Sequence, residues 1–495
     1  MARNVRLHVV LLSAGLLAGG CSTIENNHRQ KIPLVEAWTA GDAVAAQQFT
    51  EEKVRSRAGT GDELVWRLEA GTLAFTFGRY AEAVAEFAES ERLIAEYDER
   101  ATVSARDVGA ETGGALSNLN ALPYRGWCRD RMGLEIFKSL AYLGQGREDA
   151  FRAQVKRLRE RQKEIQEDYE KYFEQEKAQM SATRAANPNE AAQMDSQYSE
   201  SALVSNNPNY AQSLAEMRAV AHKGYGNFLN PLALYLSALG NLRDGRWDNA
   251  AIDTKRLHEA LPANPFVNAF HATVLRNAGR QPPAELASVQ PMPYPMDRDC
   301  VYVIFANGQG ANFLQQDIYW PVMVAWPVCE FHPAPFANAQ ITAGGQTVST
   351  VPLADMDAIL AEEFDQRLPG IITRTIISTL IKEGAYRGGQ YAAIATSNDR
   401  GTQALALAAV TVVGTAYRYA MNTADTRSWE TLPKEFQIAQ IPMPADRKVH
   451  VSLFGTMGGP SFDAQIPANC RSAILYVSAP SAANVRAGVL PFSSK

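Results

Sequence analysis

Reactive side chains are sparse in this 495-residue chain, and their spacing excludes most chemistry before any element is assigned. Seven histidines are scattered with no H-E-x-x-H or comparable ligand spacing. His258 and His271 form the nearest pair in the mature chain and read as helix-packing residues. Cys128, Cys300, Cys329 and Cys470 contain no C-x-x-C, so neither a zinc ribbon nor a redox motif is expected. Cys300 and Cys470 each stand just before a strand-like run. They are the favoured pair for a disulfide, with free buried thiols as the equal alternative. Gly308-Gln309-Gly310 follows a strand but lacks the third glycine and the helix opening of a dinucleotide loop, so it reads as a hairpin turn. Asp355 and Asp357 flank a helix start, where carboxylates favour the dipole. No P-loop, no G-x-S-x-G elbow and no nucleophile with an evident base is found. The chain therefore reads as non-catalytic, with no cofactor and no metal. Asp425 and Arg427 read as an ion-paired corner with Trp429 packed beside it. Ligand contact by Arg427 and Trp429 is the alternative.

The one cysteine set in a chemical context is Cys21. Arg3 and Arg6 form a basic patch, Leu7 to Ala18 is apolar apart from His8 and Ser13, and Gly19 and Gly20 precede the thiol. At about a dozen residues the apolar run is too short to span a bilayer and has the layout of a secretory signal. Leu17-Ala18-Gly19-Gly20-Cys21 resembles the lipobox of bacterial lipoproteins, with Ala18 where Leu is usual. The resemblance implies that the Cys21 thiol carries a diacylglyceryl group and becomes the mature N-terminus. Each buried methylene contributes ~0.8 kcal/mol, so two or more chains hold firmly. Ser22 after the cysteine implies the outer membrane.

The composition, 46% hydrophobic and 20% charged, is that of a globular protein, and a net charge of -5 gives no electrostatic reason to expect nucleic acid. The elements that must position these residues fall into two halves. Up to residue 280 the pattern is helical. Ala70, Gly71 and Ala74, then Gly78-Arg79-Tyr80, then Ala83, Phe87 and Ser90 are similar to a tetratricopeptide repeat (TPR), in which small residues let two helices cross and a glycine turns the chain. The figure recurs around Gly146-Arg147 and around Gly245-Arg246-Trp247 with Pro262. Phe151, Val155, Leu158, Gln162, Ile165, Tyr169 and Tyr172 alternate at four and three, an apolar seam on one long helix. It suits either a coiled-coil partner or a neighbouring repeat helix. Beyond the proline-punctuated stretch 281–299 the period changes. Val301 to Phe305, Pro321 to Val328, Val449 to Leu453 and Ala473 to Val477 read as strands, with helices over Asp355 to Lys382 and Gln403 to Asn422 between them. The almost wholly apolar stretch Gln403 to Met421 reads as a buried core helix, because it falls short of the ~20 residues a membrane span requires.

The expected fold is α+β. A signal peptide occupies 1–20 and a lipidated tether 21–32. A TPR-like repeat domain covers 33–280, with a long helix about 150–180 and a mobile loop about 181–212. A Pro-rich linker over 281–299 leads to a β-rich, sandwich-like domain over 300–495 with a helical insertion. Leu122-Pro123-Tyr124-Arg125-Gly126, Gly226-Asn227 through Asn230-Pro231, and Ala424-Asp425-Thr426-Arg427-Ser428-Trp429 with Leu432-Pro433 together resemble a family of bacterial TPR-containing outer-membrane lipoproteins. Trp127-Cys128-Arg129 departs from that family's acidic pattern. The resemblance implies helical repeats followed by a β-rich domain, anchored in the envelope and facing the periplasm. The leading expectation is a scaffold that binds an envelope protein partner through its helical surface and the membrane through its lipid. The alternative is a peptidoglycan or glycan-binding accessory lipoprotein linked to cell-wall synthesis, with Tyr319, Trp320, Trp326 and Trp429 as the aromatics to stack on sugar rings.

Overall fold

The computed structural model describes residues 26–106, 122–319, 323–395, 399–421, 423–456 and 458–493. The expected signal peptide, Cys21 and the first part of the tether lie outside these residues. The chain is α+β, with helices first and sheets towards the C-terminus.

Helices α1 (Asn27–Ala40), α2 (Ala43–Arg57), α3 (Glu63–Thr76), α4 (Tyr80–Arg106), α5 (Cys128–Gly144) and α6 (Glu148–Ala186) each pack on the next in chain order. After an excursion through α7 (Pro188–Gln197), α8 (Glu200–Asn206) and α9 (Pro208–Ala221), the stack resumes on α6 with α10 (Pro231–Arg243), α11 (Trp247–Ala260) and α12 (Pro265–Asn277). The turns between α3 and α4, α5 and α6, and α10 and α11 each contain a glycine, Gly78, Gly146 and Gly245, with φ of 76°, 72° and 69°. L-residues with a side chain are strained at those values. Close crossing depends on missing side chains as well. A Cβ on Gly71 would lie 2.5 Å from the Phe87 ring, and one on Gly240 would lie 2.5 Å from Val155.

Two expected loops are helical. The tether expectation over 21–32 fails from Asn27, where α1 begins under an Asn26 side chain that accepts from the His28 N–H. Lys31, Leu34 and Trp38 lie buried along one face of α1. The expected mobile loop over 181–212 is α7, α8 and α9. Its Asn-Pro pairs are helix starts, with Pro188 and Pro208 in the first turn, where the missing N–H costs nothing. Tyr198, Leu203 and Tyr210 supply the buried anchors.

Five strands form a mixed sheet in the order β11 (Arg486–Ser493), β10 (Cys470–Ala479), β1 (Cys300–Gln309), β7 (Pro433–Pro442), β6 (Val351–Asp355), with β1 parallel to β10 and the other pairs antiparallel. Strands β5 (Gln346–Ser349), β4 (Asn338–Ala343), β8 (Lys448–Phe454) and β9 (Ser461–Gln465) form an antiparallel sheet, and β2 (Asn312–Tyr319) with β3 (Met323–Glu330) forms a separate hairpin. Gly308 to Gly310 is thus no hairpin turn. It carries the chain out of the large sheet, with the Gly310 N–H donated to the Leu432 carbonyl at 2.8 Å.

Side chains alternate across β1 with period two. Val301, Val303 and Phe305 meet Ile341, Val451 and Leu475 between the two sheets. Tyr302, Ile304 and Ala306 join Phe75, Phe137, Phe151 and Leu140 of the helices in one continuous core that runs from Leu34 to Phe492. The molecule is therefore layered as helices, sheet and sheet. The inner helices α5 and α10 are buried almost all round. Their inward face, which a TPR array would offer to a partner, is filled by the chain's own five-stranded sheet.

Between the neighbouring strands β6 and β7 the chain inserts α13 (Met356–Ala395) and α14 (Arg400–Met421). The first half of α13 is buried against α6, α9 and β3. Its second half touches α14, with Gly389 against Val410 and Gln390 donating to Thr411 at 3.4 Å. The expectation of a buried core helix at 403–421 is corrected over its described side chains, which lie between 403 and 411: each is exposed or half-buried, and Leu405 is 76% exposed, while the side chains over 412–421 lie outside the described residues. No helix among the described residues is long and apolar enough to cross a membrane.

Candidate functional site

The segment leading from α14 to β7, residues 423–432, returns to the helices and joins them in a buried polar cluster. Glu69, on the inner face of α3, is wholly buried. One of its oxygens accepts from Lys31 Nζ at 2.6 Å and from the Glu430 N–H at 2.8 Å. The other accepts from the Thr431 N–H at 2.9 Å and the Thr431 hydroxyl at 2.6 Å. Lys31, equally buried, also donates to the Ser428 carbonyl. A buried charge survives only when paired and hydrogen-bonded, and here each ion answers the other while also capping backbone groups. The pair clamps α1, α3 and the returning segment together.

Arg427 and Trp429 sit inside this clasp. The Arg427 guanidinium grips both oxygens of Asp425, at 2.8 and 2.7 Å, and donates to the Leu122 carbonyl at 2.8 Å and to Asp62 at 3.3 Å. Burial works against its charge and the Asp425 and Asp62 carboxylates outweigh it, holding its pKa above the usual value. Trp429 is fully buried against Phe87 and Phe137, and its Nε1 donates to Thr72 at 2.9 Å. The ion-paired corner is as the sequence reads. The ligand-contact reading is corrected, because a ligand would have to unpack the core to reach either side chain. Trp326 is fully buried too, against Tyr210, so two of the four aromatics expected to stack on sugars are core residues. Trp320 and the Tyr319 side chain lie outside the described residues.

A second clasp stands behind the first. Arg129, Asp130 and Asp357 are fully buried. Arg129 donates to the Ala311 carbonyl at 2.7 Å and lies 3.3 Å from Asp130, while Asp357 accepts from the Ala311 N–H at 2.6 Å and from Lys434. Burial raises the pKa of both carboxyls against the pull of these cations. Asp355, its expected companion, does cap α13, accepting from the Ala358 N–H at 3.0 Å.

At the solvent edge of the first clasp, His28 Nδ1 lies 3.4 Å from Glu430 and 3.1 Å from Asn312 Nδ2, which also donates to Glu330 at 2.9 Å. The hydrogen bond with Glu430 raises the His28 pKa against the opposing effect of burial. No group of three or more His, Cys, Asp or Glu among the described residues is arranged to hold a metal ion.

The favoured disulfide is corrected. Cys128, Cys300, Cys329 and Cys470 are free and buried. Cys300 belongs to the helix-facing side of the large sheet and Cys470 to the side facing the second sheet. A register shift between Cys470 and Ser472 turns that end of β10 over, as an extra residue in a period-two strand must. Each thiol donates to a nearby carbonyl instead, Cys300 to Pro295 and Cys470 to Pro467. Burial pushes the Cys300 thiol up to about 12.

Lys31 and Glu69, the centre of the clasp, are absent from the sequence-based candidates. The signal that could find them is a charge on an apolar stripe. Lys31 shares a helix face with Leu34 and Trp38, and Glu69 lies among Val65, Leu68 and Thr72. Scans of family models, of curated proteins and of solved structures found no match to this chain.

Proposed function

We propose that this chain is a non-catalytic scaffold of the bacterial cell envelope, tied by an acylated Cys21 to the outer membrane and facing the periplasm, that binds a partner protein on its TPR-like helical array. The observation that carries the reading is the buried Lys31–Glu69 pair. It bolts the chain to the core ten residues after Cys21, so a lipid at that position holds the whole body and not a loose tail. The likeness to TPR-containing outer-membrane lipoproteins, carried by the same Asp425–Trp429 stretch that forms the clasp, points the same way. The partner surface differs from the one an open repeat array offers. With the inward face filled by the large sheet, the outward faces of α4, α6 and α11 remain, rich in exposed charge and carrying Ile252 at 44% exposure.

Photo-crosslinking amino acids placed in living cells at Ile252 on α11 and at Ala88 on α4 test this. A discrete adduct with one envelope protein at either position is expected. If both positions yield only the uncrosslinked chain, while mass spectrometry shows Cys21 acylated, the scaffold reading fails.

A further inference from the structure

The α13–α14 hairpin carries a feature the scaffold does not use. From residue 388 to residue 417 the only charged residues are Asp399 and Arg400, adjacent and opposite in sign. The described side chains there include Tyr391 at 74%, Ile394 at 45% and Leu405 at 76% exposure. Large apolar groups this exposed mark contact surfaces when they cluster, and here they lie on both arms of one projecting hairpin. Below residue 388 α13 is charged, with Arg374 bonded to Glu176 of α6 and Arg387 bonded to Glu383 one turn away on the same helix at 3.0 Å.

Position decides what covers these residues. The described chain begins at Asn26, whose side-chain oxygen accepts from the Thr426 hydroxyl, five residues past the end of α14. Ala424, two residues before Thr426, donates its N–H to Gln315 on β2 at 3.0 Å. The chain therefore leaves the body towards Cys21 at the base of the hairpin. Five residue steps reach at most about 18 Å, so a lipid on Cys21 holds Asn26 and Thr426 within about 18 Å of the bilayer, and the five steps from Thr426 back to Met421 add at most about 18 Å more. The 22-residue α14 is about 33 Å long. A hairpin lying flat satisfies these lengths.

We infer that the α13–α14 hairpin is a second membrane contact, lying along the lipid surface with Tyr391, Ile394 and Leu405 in the headgroup and upper acyl region. The geometry rests on the reading of Cys21 as the anchored residue. A stretch that carries no charge between 388 and 417 except the adjacent Asp399 and Arg400 fits a lipid surface because insertion is then opposed by little desolvation of charge, and binding grows with buried apolar area. The near-zero charge of the arms also means that the contact does not depend on anionic lipid.

The four cysteines in the described region are buried, so a cysteine introduced on the surface can be labelled selectively. The full mature chain bearing Leu405→Cys or Ile394→Cys, labelled with an environment-sensitive fluorophore, is reconstituted in phosphatidylethanolamine–phosphatidylglycerol vesicles. Val44→Cys on α2, at a site 64% exposed, is the comparison. The labels at 405 and 394 are expected to shift to the blue on reconstitution and to lose intensity with lipids brominated in the upper acyl chain, equally in phosphatidylcholine vesicles, while the label at 44 does neither. Labels at 405 and 394 that keep their aqueous emission in vesicles overturn the inference. So does a blue shift that appears without vesicles and grows with protein concentration, which would assign the surface to a second copy of the chain. The mass of the N-terminal peptide, read on the same sample, separates failure of the anchor from failure of the hairpin contact.

Discussion

Lys31→Met tests the clasp most sharply, because the pair it breaks is sealed from water on both sides. Removing one partner of a buried ion pair costs about 3–5 kcal/mol, most of it from the charge left behind. The two halves of this pair are not equivalent. After Lys31→Met, Glu69 still accepts from the Glu430 and Thr431 N–H groups and from the Thr431 hydroxyl, so the loss falls near the lower bound. Glu69→Leu strands the ammonium and also leaves two buried N–H groups unmet, each worth ~1–3 kcal/mol, so it is the more damaging change. The clasp joins α1 and residues 428–431 at one end of the helical stack, so the lost energy is expected as local opening. A loss of about 3 kcal/mol raises the open population roughly a hundredfold. Amide hydrogen exchange on the folded chain is the assay. Residues 27–38 and 428–431 should accelerate together by that factor in Lys31→Met, and by more in Glu69→Leu, while the large sheet keeps its protection. If Lys31→Met exchanges like the parent chain, or α1 accelerates while 428–431 do not, the reasoning that the pair ties these segments is wrong.

Gly71→Ala drives a methyl group to within 2.5 Å of the Phe87 ring, an overpacking expected to cost about 1–3 kcal/mol. Phe87→Leu in the same chain should return part of it, and thermal melts of the single and double variants measure both. His28 is held above its ordinary pKa of 6.5 by Glu430, so its stabilisation is full below 6.5 and fades as pH rises through the raised value. His28→Gln should flatten the melting temperature between pH 6 and pH 8. Burial, helped by the His258 charge, lowers His271 to about 4. Its contribution is present above 6.5 and is lost as pH falls towards 4, and His271→Phe should remove that acid dependence. The buried thiols should resist a thiol reagent in the native chain and react once denaturant is added, with no change in melting temperature on addition of a reductant.

Local pattern carried much of the architecture. The helical hairpins announced themselves at Gly78, Gly146 and Gly245, because a helix ended by a left-handed residue needs a glycine there. The seam from Phe151 to Tyr169 was legible as a buried stripe on one long helix, and the buried strands appeared as apolar, β-branched runs. Where sequence reading failed, it read punctuation without context. Asn187-Pro188 and Asn207-Pro208 looked like a loop because proline both breaks helices and begins them, and only Tyr198, Leu203 and Tyr210 finding a surface to bury against decided which.

By itself, the sequence determined that the chain is α+β with helices first and strands towards the C-terminus, and where glycines turn it between helices. Only the tertiary structure decided that the sheet fills the inward face of the helical stack, that the described side chains over 403–411 stay outside the core, and that Cys300 and Cys470 face opposite sides of one sheet. The reason is the range of the forces. Backbone preference and hydrophobic period act between residues a few positions apart and are written locally. Whether a charge such as Lys31 can be buried depends on a carboxylate 38 positions away, and no window along the chain contains both.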